Sequence, residues 1–526
     1  MTVTILVILP NNPGDVVMAL QAIGRLKTEG PDMLVDYVVS DECRSLVEKS
    51  PIINRTFVLP RVALREKWNE DDCQQAMLIL DNFIHDISQT HYDLSLNLFQ
   101  EKFGGILQSF VQANQKQGLN LFENRVFRIE SRYMEHLAAI PAQRDANGWH
   151  AVDIYFRTAK AALINQCKWT NLKTLKSSGA FFHPQCILPH LEMFMGNENL
   201  MTSEYLVFHP GSAWPGKRWP ETHWANLAVA CQLRGQLLVF TGAPEDRPVM
   251  NKILESMPPK VASAILDCVG KTSLLGAAWL ISQAKQVVTG DTVAMHLAAA
   301  LGTPTVSLFG PSNPVETGPY GSGHIIFQTD SSLPVKLQFE QEHLGLQNLR
   351  ADQVAEYLFH AKLPDACLVW QTFWDQDMQM QVLYDVAGIA HPSQKVSVHL
   401  RKRLDDALLS LSQKDPFLKA PSLKAPSLKA KSEALEVSEG FNLTQSQKNL
   451  EFVLTKALEK PDAMNLSKLQ TADLEFEIET RHDLIWEAYR IASNGIPLDD
   501  ISKYLVERMS RFETALLESH SQLQRT

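Results

Sequence analysis

Residues 206–224 read LVFHPGSAWPGKRWPETHW, residues 237–246 read LLVFTGAPED, and residues 287–314 read VVTGDTVAMHLAAALGTPTVSLFGPSNP. Each stretch holds a short apolar run that breaks into a loop rich in Gly, Pro and polar residues. Two of these loops lead into residues at helical spacing. Short apolar runs that alternate with helical patterns predict strands buried in a parallel sheet, with helices on both faces. In such open sheets ligands bind beyond the carboxyl ends of the strands. The polar residues there are Lys217, Arg218, Glu245, Asp291, Thr292 and His296. A phosphate-neutralising pair, two carboxylates, a hydroxyl and an imidazole suit a sugar nucleotide better than a plain dinucleotide.

The same alternation extends in both directions. Upstream, strands are predicted at 3–9, 34–40, 57–60 and 92–99, and a helical stretch at 150–170. The turn NNPGD (11–15) lies between the first strand and its helix, which is expected to begin just after Asp15. A Ser-, Gly- and Pro-marked passage at 177–203 reads as a hinge. Beyond it, strands at 205–209, 237–241, 265–269, 286–289 and 304–309 alternate with helices at 221–234, 246–257, 272–284 and 292–301. The expected fold class is α/β: two facing Rossmann-like doubly wound domains, residues 1–180 and 200–362, plus a mainly helical C-terminal extension. An amphipathic helix at 350–362 is placed to pack back across the hinge. Residues 363–411 read as an ordered extension. Residues 412–438 read as a linker, because LKAPS repeats at 418–430 put a Pro at every fifth position and prevent a continuous helix. Residues 439–526 return to helical periodicity and read as an appendix suited to a protein partner.

Composition excludes several function classes. The 526 residues are too many for one core. The net charge of −10 is spread along the chain with no basic stripe, which argues against nucleic-acid binding. The seven Cys include no CxxC pair, which fits a reducing compartment and neither a disulfide scaffold nor a zinc site. The N-terminal apolar run lacks the positive flank of a signal peptide, and no segment gives 18 uncharged apolar residues in a row. The expected localisation is cytoplasmic.

Each candidate residue has a structural reading beside a chemical one. Asp15 is either a helix N-cap or a carboxylate at the cleft mouth, able to take a proton from an attacking hydroxyl. Lys217 and Arg218, between Gly216 and Trp219, are either solvated surface or the cations of a diphosphate site. Glu245 either faces a helix dipole or holds ribose hydroxyls. Asp291 and Thr292 open a helix whose first amides favour phosphate or sugar oxygens. His296, one turn further on, is either a packing group or a ligand contact.

Together, PGD at 13–15, YDLSLNL at 92–98, HPGS and GKRWP at 209–220, FTGAPED at 240–246, GKTSL at 270–274 and the block from Gly290 resemble glycosyltransferase family 9. These are the ADP-heptose:lipopolysaccharide heptosyltransferases, and the similarity is greater to their heptosyltransferase II type. The resemblance covers about residues 3–362 and implies a GT-B fold. It also implies an inverting, metal-independent displacement, with no cofactor beyond the substrate ADP-heptose.

By the same resemblance Asp15 is the general base, Lys217 neutralises the departing diphosphate, Glu245 binds ribose and Asp291 holds the heptose. Ser212, Arg218, Thr292, Val293 and His296 fall on the donor side, and Cys268, Gly270 and Thr272 near the base. Val293 stands where the family usually has Gly. Asn97 and Lys102 are the acceptor-side candidates, with Arg125, Arg128 and Arg132 as a local basic grouping. The implied partners are a nucleotide sugar and the lipopolysaccharide core, reached by peripheral contact with the inner membrane. A different nucleotide sugar, a protein acceptor, or a non-catalytic scaffold are the alternatives.

Overall fold

The computed structural model describes residues 2–29, 32–70, 73–122, 127–139, 148–166, 204–310, 312–329, 341–364, 367–375 and 380–385. The predicted hinge at 177–203, the linker and the helical appendix lie outside the described residues. The first half runs β1 (Val3–Ile8), α1 (Pro13–Glu29), β2 (Met33–Ser40), α2 (Arg44–Glu48), β3 (Arg55–Leu59), α3 (Arg61–Asn69), α4 (Cys73–Ser88), β4 (His91–Asn97), α5 (Lys102–Phe110), β5 (Gln112–Leu121), β6 (Phe127–Ile129), α6 (Arg132–Ala139) and α7 (Ala151–Gln166). The second runs β7 (Tyr205–His209), α8 (Glu221–Gln232), β8 (Leu237–Phe240), α9 (Arg247–Glu255), α10 (Pro259–Ala262), β9 (Leu266–Asp267), α11 (Leu274–Gln283), β10 (Gln286–Gly290), α12 (Val293–Leu301), β11 (Thr305–Phe309), α13 (Pro314–Thr317), β12 (Ile325–Gln328), α14 (Ala351–His360), β13 (Leu368–Asp375) and β14 (Met380–Asp385).

The first sheet has the order β3-β2-β1-β4-β5-β6 and the second β14-β13-β12-β11-β10-β7-β8-β9. β1 to β5 are mutually parallel, as are β7 to β12. Among the described strands the antiparallel pairs are β5–β6, β12–β13 and β13–β14. The strand order reverses between β1 and β4 in one sheet and between β7 and β10 in the other. These switch points open the crevice where open α/β sheets bind ligands. The PGD turn follows β1, HPGS follows β7, and GDT follows β10.

The described part of the 363–411 extension forms the strands β13 and β14 and enlarges the second sheet. In β13, Trp370 and Thr372 are buried while Gln371 and Phe373 are exposed, the period-two alternation of a strand covered on one face. Aromatic and β-branched residues favour that surface.

One apolar cluster crosses between the halves. Val16, Ala19 and Ile23 of α1 share it with Ile154 of α7 and Ala294 and Leu297 of α12. A buried polar knot reinforces the joint behind the crevice. Arg25 of α1 pairs with Asp153 of α7 at 2.9 Å, and the Tyr320 hydroxyl donates to the same carboxylate at 2.8 Å. The Gln381 N–H of β14 donates to its other oxygen at 3.2 Å. The Arg25 guanidinium lies 3.7 Å from the Phe156 ring centre and 4.9 Å from that of Trp374 in β13. The helix that carries Asp15 at its tip is thereby fastened to the second half. Among the described residues no helix is long and apolar enough to cross a membrane.

Candidate active site

The chain turns sharply into α1 because Asn12 adopts a left-handed conformation (φ 58°) and Pro13 supplies the first helical residue. The helix starts at Pro13 rather than after Asp15, so the N-cap position belongs to Asn12. Asp15 sits inside the first turn, where the Asn12 side-chain amide donates to its Oδ2 at 3.1 Å. Burial pushes the Asp15 carboxyl up to about 6; the Asn12 bond opposes this, the negative Asp291 adds to it, and Lys217 opposes it. Asp291 and Lys217 therefore act on Asp15 from the other half, across the crevice.

Lys217 and Asp291 meet at 2.6 Å, largely shielded from solvent. Burial alone would raise the Asp291 carboxyl, but the charge and hydrogen bond of Lys217 prevail and hold it below its ordinary value. The pair is available for exchange: an incoming anionic group can take over Lys217, and sugar hydroxyls can satisfy Asp291. Next to it, the N-cap residue Thr292 does not cap α12 with its side chain, because its hydroxyl pairs with Thr289 at 2.9 Å. The leading amides of α12 remain open to ligand oxygens. Val293 opens the helix and is absent from the residues with positive φ, so the backbone there does not demand glycine.

His296 is buried, which pushes its imidazole down to about 4, against the pull of Asp291; among the described residues its Nδ1 has no hydrogen-bond partner. The ring packs on the PGD turn: a Cβ added at Gly14 would lie 2.8 Å from its Cδ2. His296 is thus a neutral wedge between the halves beside Asp15. Gly14→Ala must push that wedge aside, and a misplacement of about 1 Å costs about 10²-fold in rate. We expect such a loss in turnover with an unchanged circular dichroism spectrum, and partial recovery in Gly14→Ala/His296→Ala.

The other candidates are placed as follows. Ser212 is buried, and its Oγ accepts from the Trp214 N–H at 3.2 Å; Arg218 donates to the Ser212 carbonyl at 2.9 Å, bracing the loop that holds Lys217. Glu245 is exposed at the rim. Gly270 turns with φ 68°, and Thr272 precedes α11. Cys268 is not a cleft wall: its side chain is 1% exposed within the apolar cluster, and burial pushes the thiol up to about 11.

Asn97 also departs from its expected role. It is fully buried, donating to the Leu119 carbonyl at 2.7 Å and accepting from the Phe99 N–H at 3.0 Å, so it ties β4 to β5 instead of meeting an acceptor. Lys102 begins α5 and is exposed; Arg128 stacks 4.7 Å from the Phe122 ring centre. Arg125 lies outside the described residues, as does the Arg132 side chain. Sequence reading missed Asn12, whose signal is the left-handed tolerance of Asn before Pro at a helix start.

Residues 82–343 match the family model described as Glycosyltransferase family 9 (heptosyltransferase). The chain is 27% identical over 332 residues to the lipopolysaccharide heptosyltransferase 2 of Salmonella typhimurium, a stretch that covers 60% of this chain and 85% of that protein. The lipopolysaccharide heptosyltransferase 2 of Escherichia coli K12 is 26% identical over 332 residues, with the same shares of 60% and 85%. The crystal structure of the glycosyl transferase family 9 from Veillonella parvula DSM 2008 has the same fold, with a TM-score of 0.52 at 22% identity over 68% of this chain and 96% of that one. With the ordered motifs at both switch points, these matches fix the identity: the chain belongs to glycosyltransferase family 9.

Proposed function

We propose that this chain transfers a heptose from ADP-heptose to the inner core of lipopolysaccharide, with inversion at the anomeric carbon. The observation that carries this reading is the facing of Asp15, on one half, by Lys217, Asp291 and His296 on the other. An acceptor hydroxyl gives its proton to Asp15 as its oxygen attacks the anomeric carbon. The bond from that carbon to the β-phosphate oxygen breaks on the opposite side, and its electron pair leaves with ADP. Lys217 and the open amides of α12 take up the charge that develops there, which lowers the barrier more than it strengthens substrate binding. Asp291 orients the sugar through its hydroxyls and Glu245 holds the ribose. Lys217 and the α12 amides supply the positive potential at the departing diphosphate, so this reading needs no metal. The acceptor is lipid-anchored, so the chain works at the cytoplasmic face of the inner membrane by peripheral contact.

Thermal unfolding in ADP, UDP, GDP and CMP tests the donor, since a ligand of the native state alone raises the midpoint. We expect ADP to raise it most, and ADP-heptose with a heptose-accepting core saccharide to yield ADP. Stabilisation by UDP and not by ADP would overturn the assignment.

A further inference from the structure

Asp246 and Arg247 are adjacent residues that the reaction does not use, yet they fasten three strand-end loops to one another. We propose that they are the positioning pair of the nucleotide pocket. This inference rests on the donor reading of these loops.

The Asp246 carboxylate accepts from the Ala243 N–H at 2.9 Å and closes the turn after β8. It also occupies the space above Gly211 in the loop after β7, where any Cβ would overlap it. A Cβ at Gly242 would lie 3.1 Å from the same carboxylate and 3.1 Å from Val269. His209, the last residue of β7, is buried with its Nδ1 3.1 Å from the Thr241 hydroxyl. Asp246 therefore joins the loop after β7 to the loop after β8.

Arg247 reaches the third loop. Its guanidinium donates to both oxygens of Asp267, at 2.6 and 3.1 Å, and also to the Val269 carbonyl. This bidentate geometry fixes direction as well as distance. Asp267 accepts in turn from the Val269 N–H at 3.1 Å. The Gly270 N–H donates to the Gly242 carbonyl at 2.9 Å, and a Cβ at Gly270 would lie 3.1 Å from Pro244. Gly211, Gly242 and Gly270, one from each loop, thus leave room for a single turn, residues 243–247. Glu245 sits exposed on that turn. The strands beneath, with Phe208 and Phe240 fully buried, do not depend on these contacts for their core. Loosening the turn should spoil nucleotide binding before it spoils folding.

The experiment measures ADP affinity, donor KM, acceptor KM and kcat on the full chain carrying Gly211→Ala, Asp246→Ala, Asp246→Asn and the two double variants with Gly211→Ala. Gly211→Ala and Asp246→Ala should each weaken ADP binding and raise donor KM about tenfold, the loss expected when one charge-assisted hydrogen bond is removed or displaced. In both, kcat and acceptor KM should stay within about twofold. Asp246→Asn, which keeps the side chain's shape, should retain most of the affinity. Because Asp246→Ala vacates the space, Gly211→Ala should add no further loss in that background, yet remain harmful when combined with Asp246→Asn. Additive losses, or equal falls in kcat and acceptor KM, would overturn the proposal. If the wild-type chain binds UDP and not ADP, the donor reading fails, and the same variants read with UDP decide on the positioning pair separately. Should Asp246→Ala not fold, Gly211→Ala and Asp246→Asn carry the test through the split between KM and kcat.

Discussion

Asp15→Asn will lose turnover by about 10²- to 10⁴-fold, the share a positioned base contributes, and it will also unfold at a higher temperature than the wild type at pH 8. The two effects have one cause. The Asp15 carboxyl sits at about 6 in the folded chain, against 3.8 in the unfolded one. The native state therefore favours the protonated acid. That contribution to stability is complete below pH 3.8 and is lost as the pH rises through about 6. At pH 8 the ionised carboxylate costs the fold about 3 kcal/mol at most, because a tenfold change in proton affinity corresponds to about 1.4 kcal/mol. Asparagine does not ionise, so the gain should be seen at pH 8 and vanish near pH 4. The same titration sets the activity of the wild type: kcat/KM should fall about tenfold for each pH step below 6, as the base acquires its proton. An Asp15→Asn variant with full turnover, or with no gain in midpoint at pH 8, would refute the assignment.

Arg25→Met should be strongly destabilising. Methionine keeps an apolar stem against Phe156 and Trp374 but withdraws the charge from Asp153, whose side chain is fully buried. Removing one partner of a buried pair costs about 3–5 kcal/mol, because the remaining charge is left without compensation. Arg157, 3.6 Å from the same carboxylate, offsets part of this, so the lower end of the range is expected. At about 2–4 °C per kcal/mol for a domain of this size, the midpoint should drop by about 10 °C. Arg25→Met/Asp153→Asn should recover much of that loss, since no uncompensated charge remains. A single variant with an unchanged midpoint would show that Arg157 alone holds Asp153.

Much of the second half was legible in the sequence because its strands are buried on both faces and read as uninterrupted apolar runs. β7 is buried at all five positions, and Gly, Pro and His punctuate its end. The first half hid β5, whose QANQKQGLNL contains Gln115, Gln117 and Asn120 as buried amides; polarity masked a strand. At the site, Asp15, Lys217 and Asp291 could be named because each follows a strand at a switch point. Asp246 and Arg247 could not, because PEDR offers two acids and a base in succession, and only the loops around them reveal which carboxylate turns inward. Asn97 misled for the opposite reason: an amide at a strand's carboxyl end looks like a ligand group until both its ends prove to be engaged. Arg25 and Asp153 lie 128 residues apart, beyond the reach of any local pattern.

The strand pair β13–β14 carries one more consequence. It lies past residue 343, where the match to the family model ends. Yet Gln381 and Trp374 are partners of the knot that sets α1, and with it Asp15, against the donor half. The boundary drawn by likeness to relatives and the boundary drawn by mechanics are therefore different. A piece of this chain cut at the helix that closes near residue 360 would lose Trp374 and Gln381, and with them part of the clamp that aligns the two halves.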